Sequence, residues 1–328
     1  MKINRHILTL SLLFIALIDN HLHAQTWEKI YSENNCTKRL ENTLAAVGDK
    51  LVLLGGRTVK STEVFDIKTK TWTKLADAPL EIHHLQAVTF QNEVYVMGAL
   101  TGQYPHETPI PNIYIFNLQK NEWRKGPEIP SDRLRGSAGC VVYKNKIYMV
   151  CGIQDGHWDG HVAWLDEYDP QKNTWRKLAD APHVRDHLSV AVIKDKLYLA
   201  GGRRSTAKIN QVLNLTEAAV DVYDFKQKTW ETLPENLNIP TQRAGYSAVA
   251  LGNKVLIIGG ESPAQVPAHS EVEAYDVDKK VWLKYPSLNQ GRHGTGAVVV
   301  KGKVYTIAGS GNRGGGPELE AIEVLVKE

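Results

Sequence analysis

The sequence predicts an all-β protein, a ring of six four-stranded blades forming a six-bladed β-propeller, and three observations carry that prediction. A tryptophan recurs at Trp72, Trp123, Trp175, Trp230 and Trp282, at intervals of 51, 52, 55 and 52 residues. Six residues before each stands an acidic or amide residue that follows an aromatic one, in the pairs Phe65–Asp66, Phe116–Asn117, Tyr168–Asp169, Tyr223–Asp224 and Tyr275–Asp276. Further upstream, a short apolar strand ending in small residues occurs six times. Self-similarity at a period near fifty residues marks a repeat architecture, and nothing after the first two dozen residues has a convincing helical period.

The chain opens with Lys2 and Arg5, followed by the apolar run "ILTLSLLFIALI" (7–18), which is too short to span a bilayer. "NHLHA" follows, so residues 1–24 read as an export signal cleaved after Ala24, although Leu22 is larger than usual for the minus-three position. No cysteine directly follows the cut, and no lipid anchor is expected. Removing 1–24 takes two basic residues and one acidic residue from totals of 39 and 36, leaving 37 minus 35, or +2 in place of +3. So small a charge gives no basis for a nucleic-acid partner, and no later run is long enough to span a membrane. Residues 25–328 are expected to form a single domain located in the periplasm or outside the cell.

The repeated apolar strands are "KLVLLGG" (50–56), "EVYVMGA" (93–99), "KIYMVCG" (146–152), "KLYLAGG" (196–202), "KVLIIGG" (254–260) and "KVYTIAG" (303–309). Another strand precedes each, as in "HLSVAVI" (187–193), across polar turns such as "KDK" and "GNK". Between the aromatic–Asp pair and the tryptophan lie fillers such as "DPQKNTW", which have the chemistry of a tight turn joining two strands. Each unit thus has four antiparallel strands. The sixth, ending "AIEVLVKE", has no tryptophan strand after it. Trp27 in "TWEKI" supplies one from the other end of the chain, closing the ring and removing two exposed sheet edges.

A double glycine, then an aromatic–Asp pair, then a tryptophan six residues on: in this the sequence resembles the Kelch-repeat β-propellers over essentially all of 26–328. The departures are local: Gly98–Ala99, Cys151–Gly152 and Ala308–Gly309 replace the double glycine, and Val324–Leu325 stands where the sixth aromatic–Asp pair is expected. The glycines and tryptophans read as structural.

Alignment on the glycine pair reveals a second column, sixteen residues before the first glycine position: Arg39, Ile82, Arg135, Arg185, Arg243 and Arg292. Strand alternation puts these arginines on the same side of the disc as the long loops after the glycines, where binding on a rigid scaffold usually resides. A ring of guanidinium groups favours an anionic ligand such as a carboxylated sugar or an acidic peptide. The competing expectation is that the arginines pair with acids of neighbouring blades and hold the ring together. The resemblance implies ligand binding on this face, in some members through this column.

His83, His84, His187 and His293 start the inner strands on that same face. The stretch "GIQDGHWDGHVAW" (152–164) adds His157, His161, Trp158 and Trp164. With Asp155, Asp159 or Asp186, some of these histidines could make a mixed His–carboxylate metal site, His157 and His161 being the weak candidates. No motif spacing is matched, so no metal or cofactor is called for. Trp158 is a candidate sugar platform, whereas Trp164 is expected to pack beneath its loop. Cys140 and Cys151 would face each other if the intervening turn were Asn145–Lys146, making a disulfide available in an oxidising compartment; otherwise both are small apolar fillers.

The favoured function is a non-catalytic exported binding protein, its ligand held by Arg39, Arg135, Arg185, Arg243, Arg292, His84, His187, His293 and Trp158; a protein partner on the same face is the alternative occupant. The resemblance adds an enzyme reading. Exported Kelch propellers include sialic-acid mutarotases (N-acetylneuraminate epimerases), and here Arg185, His187 and Glu261 are the weak catalytic candidates. Copper oxidation in the manner of galactose oxidase is disfavoured, since Cys140 and Cys151 fall in strands and the chain is short of extra domains.

Overall fold

The computed structural model describes residues 25–327; the expected export signal over 1–24 lies outside the described residues. Six four-stranded antiparallel sheets form the blades. Blade one runs Asn42–Val47, Lys50–Gly55, Ser61–Asp66 and Thr71–Asp77 from axis to rim. The inner strands of consecutive blades touch all the way round, blade six against blade one included. Ring closure is as expected: Gln25–Ile30 pairs antiparallel with Ile322–Lys327, with Trp27 opposite Leu325. Leu325 therefore occupies the aromatic slot of blade six, one position later than the alignment placed it.

The repeat residues take their places for simple reasons. Each aromatic faces its tryptophan across the outer hairpin, as Phe65 faces Trp72 and Tyr223 faces Trp230. Asp66 Oδ1 accepts the N–H groups of Lys68 and Thr69, at 2.8 and 3.1 Å, fixing the turn between them; Asp169, Asp224 and Asp276 repeat that arrangement. Indole N–H groups reach toward the preceding blade, Trp123 to Thr62 Oγ1 and Trp230 to the Ala179 carbonyl. The apolar clusters lie between successive sheets, so blade–blade packing is the core.

The glycine pair is also a junction. The second glycine donates its N–H to the carbonyl of the arginine-column residue in the next blade, as from Gly152 to Arg185 (2.8 Å), Gly202 to Arg243 (3.0 Å) and Gly309 across the closure to Arg39 (2.9 Å). The first glycine has positive φ, and a Cβ on Gly259 would stand 2.3 Å from the Arg292 carbonyl.

One expectation fails on register. Tyr143 pairs with Lys146, so the turn is Lys144–Asn145 and Cys140 faces Met149, not Cys151. Cys36, Cys140 and Cys151 are all free and buried. Burial pushes each thiol up to about 12.

Candidate functional site

The arginine column does not line an opening. Arg39, Arg135, Arg185, Arg243 and Arg292 are at most 1% exposed, each inside its own blade. Arg135 donates to Asp166 Oδ2 (2.6 Å) and to the carbonyls of Cys151 and Met149 (both 2.8 Å). Arg185 pairs with Asp221, Arg243 with Glu273, Arg292 with Glu323 and Arg39 with Glu63. The acid always sits two residues before the aromatic slot, on the third strand of the same blade rather than in a neighbour. Blade two lacks both partners: Ile82 replaces the arginine and Tyr114 the acid, and the two share one apolar cluster. Five buried ion pairs, each closed by backbone carbonyls, satisfy charges that would otherwise be costly to bury. This corrects the expectation of an arginine-lined mouth.

Two residues further along stands a different ring: Glu41, His84, Ser137, His187, Gly245 and Gly294, all in the left-handed conformation with φ between 50 and 63°. Their backbones are stitched around the axis. His84 N–H donates to the Glu41 carbonyl (3.1 Å), Ser137 to His84 (3.1 Å), Gly245 to His187 (2.8 Å), Gly294 to Gly245 (2.9 Å) and Asn42 to Gly294 (3.0 Å). Between Ser137 and His187, the Ser137 hydroxyl accepts the His187 N–H instead, at 2.9 Å. The collar separates an axial channel of about 280 Å³ from a mouth of about 350 Å³ on the loop face, and both cavities touch Glu41 and His84.

All six blades contribute to the mouth. Arg57, Arg203 and Glu261 follow their glycine pairs directly; Tyr104 and His157 come from the loops of blades two and three; Gly314 and Gly315 come from blade six. The charged groups are networked. Arg57 Nη2 meets Glu107 Oε1 at 2.5 Å, and Glu107 Oε2 meets His157 Nδ1 at 2.6 Å. Arg203 pairs with Glu261, which also accepts the Gly314 N–H at 2.6 Å. Asp186 holds His187 Nδ1, accepts the Ser205 hydroxyl (2.6 Å) and meets His161 Nε2 (3.1 Å). His84 Nε2 lies 3.1 Å from Glu41 Oε2, and its Nδ1 lies 2.7 Å from His83 Nδ1.

Local chain geometry explains how His157 arrives there. Ile153–Asp155 and Asp159–His161 pair as a ribbon with His157 in its three-residue tip. A Cβ on Gly156 would lie 2.5 Å from the Glu107 backbone nitrogen, so glycine lets the tip rest directly on Glu107. The His157 N–H donates to the Pro105 carbonyl at 3.0 Å.

Burial sets the protonation of the site. It pushes His83 and His187 down to about 4, aided by Arg57 and Arg203 respectively, and drives His84 well below the usual histidine range. Burial alone would raise Glu107, but His157, Arg57 and His83 hold it at about 2. Burial does raise Glu41, with His293 partly opposing. His161 is held above its ordinary value by Asp186 against its own burial. At neutral pH His83, His84 and His187 are therefore neutral imidazoles, close to an ionised Glu107.

Of the residues singled out from sequence, His84, His157 and Glu261 line the mouth, and His187 lies in the collar beneath it. His293 is buried, 3.5 Å from Glu261, with Nε2 on the Asn312 carbonyl at 2.7 Å. His161 turns away from His157 to Asp186 and Ser205, so those two do not form a pair of ligands. Trp158 lies tilted against His106 outside the mouth lining, and Trp164 is half-buried with the Arg133 guanidinium over its ring, 4.3 Å from the centroid. Sequence reasoning missed Glu41, Arg57, Glu107 and Arg203. The position after each glycine pair was a signal for Arg57 and Arg203; Glu107 sits in an aperiodic loop that offered none.

A family model described as the Attractin/LZTR1 beta-propeller matches residues 11–266. The Kelch-like protein terF of Aspergillus terreus is 28% identical over 289 residues, covering 83% of this chain and 61% of the fungal protein. Kelch-like protein 38 of Rattus norvegicus is 27% identical over 266 residues, covering 80% of this chain and 42% of the rat protein. The chain thus spans less than two thirds of the length of either relative. The solved structure of YjhT has the same fold, with a TM-score of 0.74 at 17% identity, covering 90% of this chain and 97% of that one. With the family model matching most of its length, the chain belongs to the Attractin/LZTR1 β-propeller family of Kelch-type propellers.

Proposed function

We propose that this protein is exported and binds a small anionic ligand, a carboxylated sugar foremost, in the axial mouth of the propeller. The observation that carries the reading is the mouth itself: about 350 Å³, built by all six blades and floored by buried polar side chains. A concave site with a few convergent polar groups is where a rigid scaffold holds a small ligand. The carboxylate partner moves from the buried column to Arg57, whose side chain is 25% exposed at the rim of the mouth. Arg57 can turn part of its fork from Glu107 to a ligand, while His157 keeps Glu107 partnered.

A mutarotase-like activity is the second reading, and one observation favours it. Glu41, raised by burial, and His84, lowered by it, face each other at 3.1 Å and compete for one proton beside the mouth. Such a pair can give and take the proton that sugar-ring opening requires. In this reading Arg185, inside its blade, takes no part, and Glu261 is tied to Arg203 and the Gly314 N–H.

The test is thermal unfolding against sialic acid, uronic acids, neutral sugars and acidic peptides, since a ligand bound only by the native state raises the midpoint. A rise with a carboxylated sugar that shrinks in Arg57→Ala supports the reading and calls for an anomer-exchange assay. A rise with acidic peptides alone would move the site to a protein partner. No rise with any of them would overturn small-ligand binding.

A further inference from the structure

The three rings of His84, His157 and His187 meet at the neck between mouth and channel, with centroids 4.7 to 5.0 Å apart; His84 meets the other two edge to face, and His157 and His187 are tilted against each other. Their ligand nitrogens lie within 4.8 Å of one another, and all three residues are buried. His187 Nε2 is buried and has no hydrogen-bond partner within the protein. A stack of rings held together by packing alone does not account for that atom, because a buried ring N–H or lone pair is costly to leave unmatched.

The outer contacts of the rings point the same way. Each histidine has its own carboxylate: Asp186 on His187 Nδ1, Glu107 on His157 Nδ1 and Glu41 beside His84 Nε2. Metal-ligating histidines characteristically donate their far N–H to a carboxylate, which fixes the tautomer and turns the other nitrogen's lone pair toward the ion. With Nδ1 of His157 and His187 so engaged, both present Nε2. His84 has both nitrogens engaged, Nδ1 by His83 at 2.7 Å and Nε2 by Glu41 at 3.1 Å, and gives up one of these contacts to an ion.

We propose that His84, His157 and His187 form a binding site for a divalent d-block cation of the zinc class, with an open coordination position toward the mouth. Three imidazoles suit zinc, and three protein ligands with one position left to water or ligand is the arrangement of reactive rather than structural zinc sites. For tetrahedral bonds of about 2.1 Å, which set the nitrogens roughly 3.4 Å apart, each ring has to move inward by roughly 0.8 Å at most. A second grouping, His83, His84 and Glu107, is less suited, because Glu107 is committed to Arg57 and His157. The inference goes beyond the binding reading above: the protein can hold a metal without a sugar, or a sugar without a metal, and the two are measured separately.

The experiment is titration of untagged, chelator-treated protein with Zn²⁺ by calorimetry, and with Co²⁺ by visible absorption, in wild type, His187→Ala, His157→Gln and Glu107→Gln. Thermal unfolding of each metal-free variant verifies that it is folded. One equivalent of either ion is expected to bind the wild type, with a cobalt spectrum of nitrogen ligation. His187→Ala and His157→Gln lose the site, and Glu107→Gln weakens it about 10- to 100-fold through the orientation of His157. Absence of one-equivalent binding in the wild type, or binding unchanged in folded His187→Ala or His157→Gln, would overturn the proposal.

Discussion

Arg185 and His187 stand two positions apart, and their side chains do opposite work. Arg185 turns into its blade, onto Asp221 and the Gly201 carbonyl, and so do its counterparts in four other blades. His187 turns to the axis, and its counterparts are Glu41, His84, Ser137, Gly245 and Gly294, which share its backbone conformation and little of its chemistry. A column that repeats its residue is building the scaffold, since every blade poses the same packing problem. A column that repeats its backbone and varies its residue is free to build one asymmetric site on the symmetry axis.

The comparison is sharpest where an arginine is removed. Arg292→Met leaves Glu323 buried with only the Asn289 and Gln290 amide groups for company. It should cost about 3–5 kcal/mol, the usual consequence of breaking a buried pair, read as a large drop in the urea midpoint. Blade two shows how to remove the pair without that penalty. Arg243→Ile combined with Glu273→Tyr should be more stable than the sum of the single changes predicts, with a coupling of about 0.5–3 kcal/mol in a double-mutant cycle. Strict additivity would mean that Ile82 and Tyr114 are not a substitute for the ion pair.

Smaller effects probe the varied side. Arg57→Ala should lower the unfolding midpoint clearly less than Arg292→Met does, because His157 keeps the buried Glu107 partnered, while weakening any carboxylate ligand about tenfold, the loss of one charge-assisted hydrogen bond. A midpoint lowered as far as in Arg292→Met would place Arg57 with the scaffold. The smallest effect concerns the thiols. With all three cysteines free and buried, a thiol reagent should find none in the native protein and three after denaturation; finding one after denaturation would restore a disulfide.

The fold was legible because its grammar is periodic. Trp72 and its four successors, the aromatic–Asp pairs and Trp27 as the closing strand are each dictated by hairpins that recur, and the structure puts them where that logic requires. The arginines were equally visible, but their meaning was not. It lay in a partner column, Glu63, Asp166, Asp221, Glu273 and Glu323, which becomes evident once the strand is counted back from the aromatic. The Cys140–Cys151 pairing failed on a turn displaced by one residue, enough to change every cross-strand neighbour. Site residues were half legible: His84, His157, His187 and Glu261 stood out by type. Glu107 and Tyr104 reach the mouth through the ribbon pairing Leu100–Thr101 with Thr108–Pro109, whose path no repeat specifies.

The most direct test sets the two columns side by side in one blade. Urea unfolding of Arg185→Met and His187→Gln, two positions apart on the same strand approach, should separate them. The account predicts that Arg185→Met loses about 3–5 kcal/mol and His187→Gln less than half as much. Equal losses, or the larger loss at His187, would contradict the division between a column that builds the ring and a column that furnishes its mouth.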